Sequence, residues 1–396
     1  MLSRRRSVSS SGRSPGFTTR ASRSSSCSTR SSSRRRPRSS PTASARSTTT
    51  GWPGRATRSK SACSRRTGSP WPWPPSTSCR SSSRTRPRLP TNIRVSVPHI
   101  LVVGSLAYDD VQTPFERRRD VLGGAASYFS LAARLYAPVR LVGVIGDDFR
   151  DDDVERFRTA GIDISGIERR SGRSFRWLGR YDYDFATAET INTDLGVFGD
   201  WRPRVPEAFA DSEFVFLANI DPEIQLEVLS QVREPVAVAL DTMNYWIENR
   251  RSALDEVLRK VDVVSVNEAE VRQLADTHNV LKAAREILAR GPRAVIVKRA
   301  EHGAQLFMED RSFWAPAYPL EEVRDPTGAG DAFAGGFIGH LARTGKADDA
   351  TLRRAVLHGT VCASYAVETF SVDGMERATL PGVDGRIRVL EALVAP

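Results

Sequence analysis

Asp325-Pro326-Thr327-Gly328-Ala329-Gly330-Asp331, continued by Ala332-Phe333-Ala334-Gly335-Gly336-Phe337-Ile338, decides how this chain is read. Gly328, Ala329 and Gly330 leave their backbone N–H groups without side-chain cover, and the apolar spacing of Phe333, Phe337, Ile338 and Leu341 predicts a helix over 328–344. Bare N–H groups at a helix N-terminus attract an anion, because unpaired donors and the positive dipole end converge there. Asp331 then falls in the first turn. A carboxylate beside an anion nest suits phosphoryl transfer: the nest holds the moving charge and the carboxylate takes a proton from the attacking hydroxyl. The plainer alternative is a Gly-rich helix cap whose Asp complements the dipole.

These fourteen positions resemble the signature of the PfkB family of carbohydrate and nucleoside kinases, with Pro326 where the family often has Thr. The resemblance implies a three-layer α/β/α sandwich of ribokinase type, with a mostly parallel sheet and a small β-lid. It also implies Asp331 as catalytic base, Gly328, Ala329 and Gly330 as the anion hole, and ATP with Mg²⁺ as cofactors.

Composition divides the chain. Residues 1–96 hold 22 of the 58 Lys and Arg, 28 Ser and no acid; the remainder carries 36 basic and 47 acidic residues, a net charge of −11. A segment so poor in periodic apolar residues cannot bury enough surface to offset its ordering entropy, so 1–96 is expected to be disordered. Three readings compete for it: a basic arm for nucleic acid, an organelle transit peptide, and a stretch read upstream of the true start of a GC-rich gene. The third is favoured, which leaves nucleic acid out of the expected partners. Residues 97–392 are the expected kinase domain. Cys27, Cys63 and Cys79 have no metal-ligand spacing and only Cys362 lies beyond 97, which fits a reducing cytoplasm. No apolar run approaches the twenty residues of a membrane span.

From residue 97 onward, short β-rich apolar runs (99–104, 139–146, 214–220, 236–240, 261–266, 294–297) alternate with helical patterns at 123–136, 148–160, 222–233, 248–260, 268–275, 280–290 and 328–344. That alternation predicts a parallel sheet covered on both faces. Just past the runs stand Gly104-Ser105, Gly146-Asp147, Asn219, Asp241, Asn267 and Lys298. Each alone is an ordinary turn residue; together they line the carboxyl ends of the strands, where open α/β sheets bind ligands. One stretch breaks the pattern. Residues 173–198 read as two or three strands with alternating Phe175, Trp177, Tyr181, Tyr183 and Phe185. It is either a core-packed meander or, at the position the family uses, a lid that excludes water and offers a homodimer contact.

The remaining motifs extend the resemblance. Gly104-Ser105-Leu106-Ala107-Tyr108-Asp109 matches the family's opening strand, implying Asp109 as a ligand of substrate hydroxyls, although Ala107 replaces an Asn. Gly123-Gly124 resembles the N-terminal double glycine that lets a sugar approach the backbone; Tyr128 stands where an Asn is usual. Asn267-Glu268-Ala269-Glu270 resembles the Asn-x-x-Glu motif, which implies Glu270 behind a Mg²⁺ ion and Asn267 toward phosphate, and it is also a sound capping box. Lys298-Arg299-Ala300-Glu301-His302-Gly303 resembles the nucleotide turn, with Ala300 in place of Gly, so Lys298 and Gly303 would face the nucleotide along with Thr327. Asp241-Thr242-Met243-Asn244 resembles a substrate or phosphate contact. His358 would line the adenine pocket or serve the core, and Asp325 would hold a monovalent cation, K⁺, beneath the nest. The implied reaction is phosphorylation of an alcohol on a small sugar or nucleoside; a sugar-phosphate kinase and a non-catalytic sensor on the same scaffold are the alternatives.

Overall fold

A computed structural model of the chain describes residues 97–185 and 188–395. The Arg- and Ser-rich segment 1–96, and every expectation attached to it, lies outside the described residues. Ile100, Leu101, Val102 and Val103 form β1 (Ile100–Val103), fully buried on both faces. Side chains alternate along a strand, so Ile100 and Val102 join one apolar core and Leu101 and Val103 the other. This alternation sets the three layers. The strands β4 (Val139–Ile145), β8 (Phe214–Leu217), β9 (Ala237–Asp241), β10 (Val263–Asn267) and β11 (Ala294–Lys298) repeat it.

The main sheet has the order β13-β12-β11-β10-β9-β8-β1-β4-β5. Pairing is parallel from β11 through to β5 (Asp163–Arg169), whereas β12 (Ala304–Phe307) and β13 (Ser312–Ala315) add an antiparallel edge. One face is covered by α1 (Ala125–Ala133), α8 (Ala329–Thr344) and α9 (Asp349–Ala366), which pack around Phe129, Phe333, Phe337 and Val356. α2 (Asp151–Thr159), α10 (Asp373–Arg377) and α11 (Leu380–Val394) join the same core through Phe157, Met375 and Ile387. The other face carries α3 (Pro222–Leu229), α4 (Asn244–Asn249), α5 (Arg251–Leu258), α6 (Glu268–Leu274) and α7 (Val280–Leu288), which contribute Ile224, Leu254, Val271 and Ile287.

All six expected strands are present. The helix expected over 248–260 is instead α4 and α5, because Arg250 leaves helical geometry at φ −133° and ψ 32°. The lid region holds β6 (Phe175–Tyr181) and β7 (Ala188–Asp194), but they belong to a four-stranded sheet, β3-β2-β6-β7, that also takes β2 (Ala107–Gln112) and β3 (Arg117–Gly123). Asp109 is therefore not at the end of the opening strand, which stops at Val103; it stands within the small sheet, in register with Trp177. The inward aromatic alternation also ends at Tyr181. Tyr183 is 80% exposed in the following turn, where its ring meets Phe115 at 5.8 Å. Tyr108, on the opposite face of β2 from Asp109, clasps the small sheet to the body: its hydroxyl donates to Asp153 at 2.7 Å and accepts from the Arg150 N–H at 2.9 Å.

Candidate active site

The helix α8 begins at Gly328, which takes φ 75° and ψ −1° and carries no side-chain cap. An ordinary residue resists this left-handed geometry. Space is a second restriction, since a Cβ on Gly328 would sit 2.3 Å from the Tyr128 ring. The buried tyrosine thus lies flat against the turn that opens the nest. The expectation of three free donors needs one correction: the Ala329 N–H donates to the Pro326 carbonyl at 3.2 Å. The donors left for an anion are those of Gly328 and Gly330, whose N–H groups have no backbone acceptor among the described residues.

Asp331 follows in the first turn. Burial, and then the neighbouring Asp241 carboxylate, push its pKa up to about 7, against the lowering pull of Lys298. The strand register explains this gathering. β9, β10 and β11 end side by side, with Ser265 opposite Asp241 and Asn267 opposite Lys298. The Lys298 ammonium lies 3.0 Å from Asp241 Oδ2. Burial pulls its pKa down, but Asp241, Glu270 and Asp331 outweigh that and keep it raised. Glu270 forms the expected capping box with Asn267: the Asn267 N–H donates to Glu270 Oε2 and the Glu270 N–H to Asn267 Oδ1, both at 2.8 Å. Burial also pushes Glu270 up to about 7.

A second group of residues faces the nest from the small sheet. Asp109, 4% exposed, lies over Gly123, where a Cβ would stand 1.9 Å from its Oδ2. Only glycine admits that approach. Burial pushes Asp109 up to about 8, Asp325 and Asp331 add to it, and the Gly124 N–H opposes it by hydrogen bonding to the carboxylate. From β6, the Tyr181 hydroxyl meets Thr327 Oγ1 at 3.2 Å, which brings the inner face of the small sheet against the nest loop. Asp325 lies beneath, buried, with Oδ1 accepting from the Thr327 N–H at 2.9 Å and Oδ2 without a partner among the described residues.

Asp331, the nest, Thr327, Asp325, Asp109, Gly123, Gly124, Tyr128, Asn267, Glu270 and Lys298 therefore converge. Gly303 closes the turn after β11 with φ 83°, its carbonyl accepting from the Arg299 N–H at 2.8 Å and its α-carbon pressed against the Ala315 carbonyl. His358 is not part of the convergence. It is 3% exposed, its Nδ1 lies 3.2 Å from the Tyr136 hydroxyl and its ring stacks on His340 at 4.0 Å. Burial lowers its pKa to about 2, so it is a neutral core residue. His340 follows Asp331 by nine residues on α8, roughly 13 Å along the axis at the helical rise. The expected adenine role is corrected accordingly. Ser371 was missed altogether. At φ 62°, it hydrogen-bonds Asp325 through its backbone and donates its hydroxyl to the Leu122 carbonyl at 2.6 Å. A lone Ser after a helix carries no sequence signal for such a bridge.

The model of the pfkB family carbohydrate kinases matches residues 94–377. The chain belongs to the pfkB family. A cytidine kinase of Thermococcus kodakarensis is 31% identical over 250 residues, covering 62% of this chain and 88% of the relative. A nucleoside kinase of Methanocaldococcus jannaschii is 23% identical over 267 residues, covering 65% and 82%. Among solved structures, the Burkholderia thailandensis nucleoside kinase in complex with inosine superposes with a TM-score of 0.60 at 21% identity, covering 74% of this chain and 99% of that one. At that identity the likeness concerns the fold, and it agrees with the three-layer pfkB architecture described above.

Proposed function

We propose that the chain transfers the terminal phosphoryl group of ATP to an alcohol of a nucleoside or small sugar. The observation that carries this is Asp331, a half-buried carboxylate one residue beyond two open N–H donors at a helix N-terminus. In the step, Asp331 accepts the proton of the attacking hydroxyl and the alcohol oxygen bonds to phosphorus. The bond to the leaving oxygen breaks, with its electron pair going to ADP. The Gly328 and Gly330 donors stabilise the charge on the group in flight. Asp109 accepts from substrate hydroxyls, and the small sheet keeps water out.

Among the described residues no three His, Cys, Asp or Glu side chains cluster to hold a metal ion. A Mg²⁺ ion would therefore take most of its ligands from nucleotide phosphates and water, with Glu270 behind the water. It would neutralise phosphate charge. The unpartnered, buried Asp325 Oδ2 suits a monovalent cation beneath the nest.

Two observations favour a nucleoside or free sugar over a sugar phosphate. The relative at 31% identity is a cytidine kinase, and the three arginines on and just before β6 already have carboxylate partners. Arg176 pairs with Asp120 and Asp148, Arg180 with Glu189 and Arg173 with Asp194. A phosphorylated substrate needs uncommitted cations. The test is kcat/KM for nucleosides, free pentoses and hexoses and the matching sugar phosphates. We expect nucleosides or free sugars to lead, with Arg180→Ala within about threefold of the unaltered chain for an exposed ion pair. A sugar phosphate that leads, and loses its advantage in Arg180→Ala, would refute the preference.

Because only ionised Asp331 accepts a proton, and its folded pKa is raised to about 7, kcat/KM should fall as pH drops through about 7. The decline approaches tenfold per pH unit below it. A profile flat from pH 8 to pH 5 would remove Asp331 from the role of base.

A further inference from the structure

We propose that the Lys298 ammonium is a catalytic cation of the anion hole, one that touches the phosphoryl group in transfer and not merely the resting nucleotide. The inference rests on the kinase reading above and adds a residue to its chemistry. A Cβ placed on Gly330 would meet Lys298 Nζ at 3.0 Å and Cδ and Cε at 3.7 Å. The lysine stem therefore runs along the nest and its charge ends beside the second open donor.

What holds the charge there is built with care. Asp241 Oδ2 accepts from Nζ at 3.0 Å, Oδ1 accepts from the Thr242 N–H at 2.7 Å, and the Asp241 carbonyl accepts from Gln225 Nε2 at 3.1 Å. Both sides of the ion pair are largely shielded, with Lys298 at 18% and Asp241 at 7% side-chain exposure. A buried pair of this kind costs desolvation, and its presence alone does not stabilise a fold.

The choice of residue points the same way. The chain has five lysines against 53 arginines, and the other three lysines among the described residues, Lys260, Lys282 and Lys346, are exposed. An arginine would lock Asp241 in a planar fork, whereas an ammonium on a flexible stem is a compact charge that can be shared between Asp241 and a second anion. Asp331 and Glu270, the other carboxylates near it, leave the cluster with more negative than positive charge when all are ionised. The ammonium is a side-chain cation that stands against the nest. During transfer Lys298 keeps its proton. The alcohol proton goes to Asp331, the new O–P bond forms, the old one breaks toward ADP, and Lys298 contributes charge and hydrogen bonds to the phosphoryl oxygens alone.

The experiment compares the full chain with Lys298→Met, which keeps the stem and removes the charge. Loss of one oxyanion-hole donor costs about 100- to 1,000-fold in kcat. We expect that loss in kcat with the KM for ATP changed less than about threefold. Affinity for ADP with aluminium fluoride, measured with Mg²⁺ and acceptor present, should fall by a like factor. Lys298→Cys treated with bromoethylamine should regain at least tenfold over untreated Lys298→Cys. If Lys298→Met does not fold, Asp241→Asn/Lys298→Met, which removes both charges, replaces it and should remain at least about a hundredfold slow. A kcat within threefold of the unaltered chain, in either variant, overturns the proposal, as does a loss confined to KM. Should the unaltered chain transfer phosphoryl to no acceptor, the kinase reading fails; should it transfer and Lys298→Met do so equally, only this inference fails.

Discussion

Asp331→Asn should lower kcat by about 100- to 10,000-fold, or roughly 3–5 kcal/mol of transition-state stabilisation, the range for removing a positioned general base. The amide is isosteric and neutral, and burial has already pushed the carboxyl up to about 7. The variant should therefore fold and bind nucleotide as before. Losing an ionisable carboxylate from a crowd that includes Asp241 should if anything raise the melting temperature above pH 7. The linkage sign is fixed: a pKa raised on folding means stability is full below the unfolded value and lost as pH climbs through the folded one. Turnover within tenfold of the unaltered chain would show that Asp331 is a helix-dipole complement and no more.

Gly328→Ala should damage both stability and turnover. The left-handed conformation at φ 75° costs a non-glycine residue about 1–2 kcal/mol, and the added Cβ must push the Tyr128 ring from 2.3 Å. For a domain of this size each kcal/mol lowers the melting temperature by about 2–4 °C, so a drop of several degrees is expected. Relief can come only by moving the turn or the tyrosine, and either misplaces the Gly328 and Gly330 donors. We expect kcat to fall at least about tenfold, since donors off by an ångström stabilise poorly. An unchanged melting temperature together with unchanged kcat would mean that this turn has slack that its packing does not suggest.

Six of the seven parallel strands of the main sheet were legible in sequence because burial on both faces makes them continuous apolar runs; the seventh, the partly exposed edge strand β5, was not. β2 and β3 were not. Arg117-Arg118-Arg119-Asp120 is exposed and charged, and the pairing of β2 with β6 joins residues 68 apart, a contact that no local pattern announces. The antiparallel strands β12 and β13 have four residues each, too few for periodicity to separate them from loop. In the site, Asp331 and the capping box of Asn267 and Glu270 were legible because their chemistry is local. The Lys298–Asp241 pair depends on three strands ending in register, and the stacking of Tyr128 on Gly328 on the crossing of α1 and α8. His358 was left between the adenine pocket and the core for a related reason: helical spacing identifies the face it occupies but not that its neighbours there are Tyr136 and His340.

Transfer of label from γ-labelled ATP to a small alcohol by the full chain decides whether Asp331 and its nest form a kinase site. Incubated with Mg²⁺, K⁺ and a pool of nucleosides and free sugars, the chain should give ADP and a phosphate ester of one acceptor in equal amounts. Omission of the acceptor should leave the ATP almost intact. Release of label only as inorganic phosphate, at a rate indifferent to any acceptor, would contradict the account.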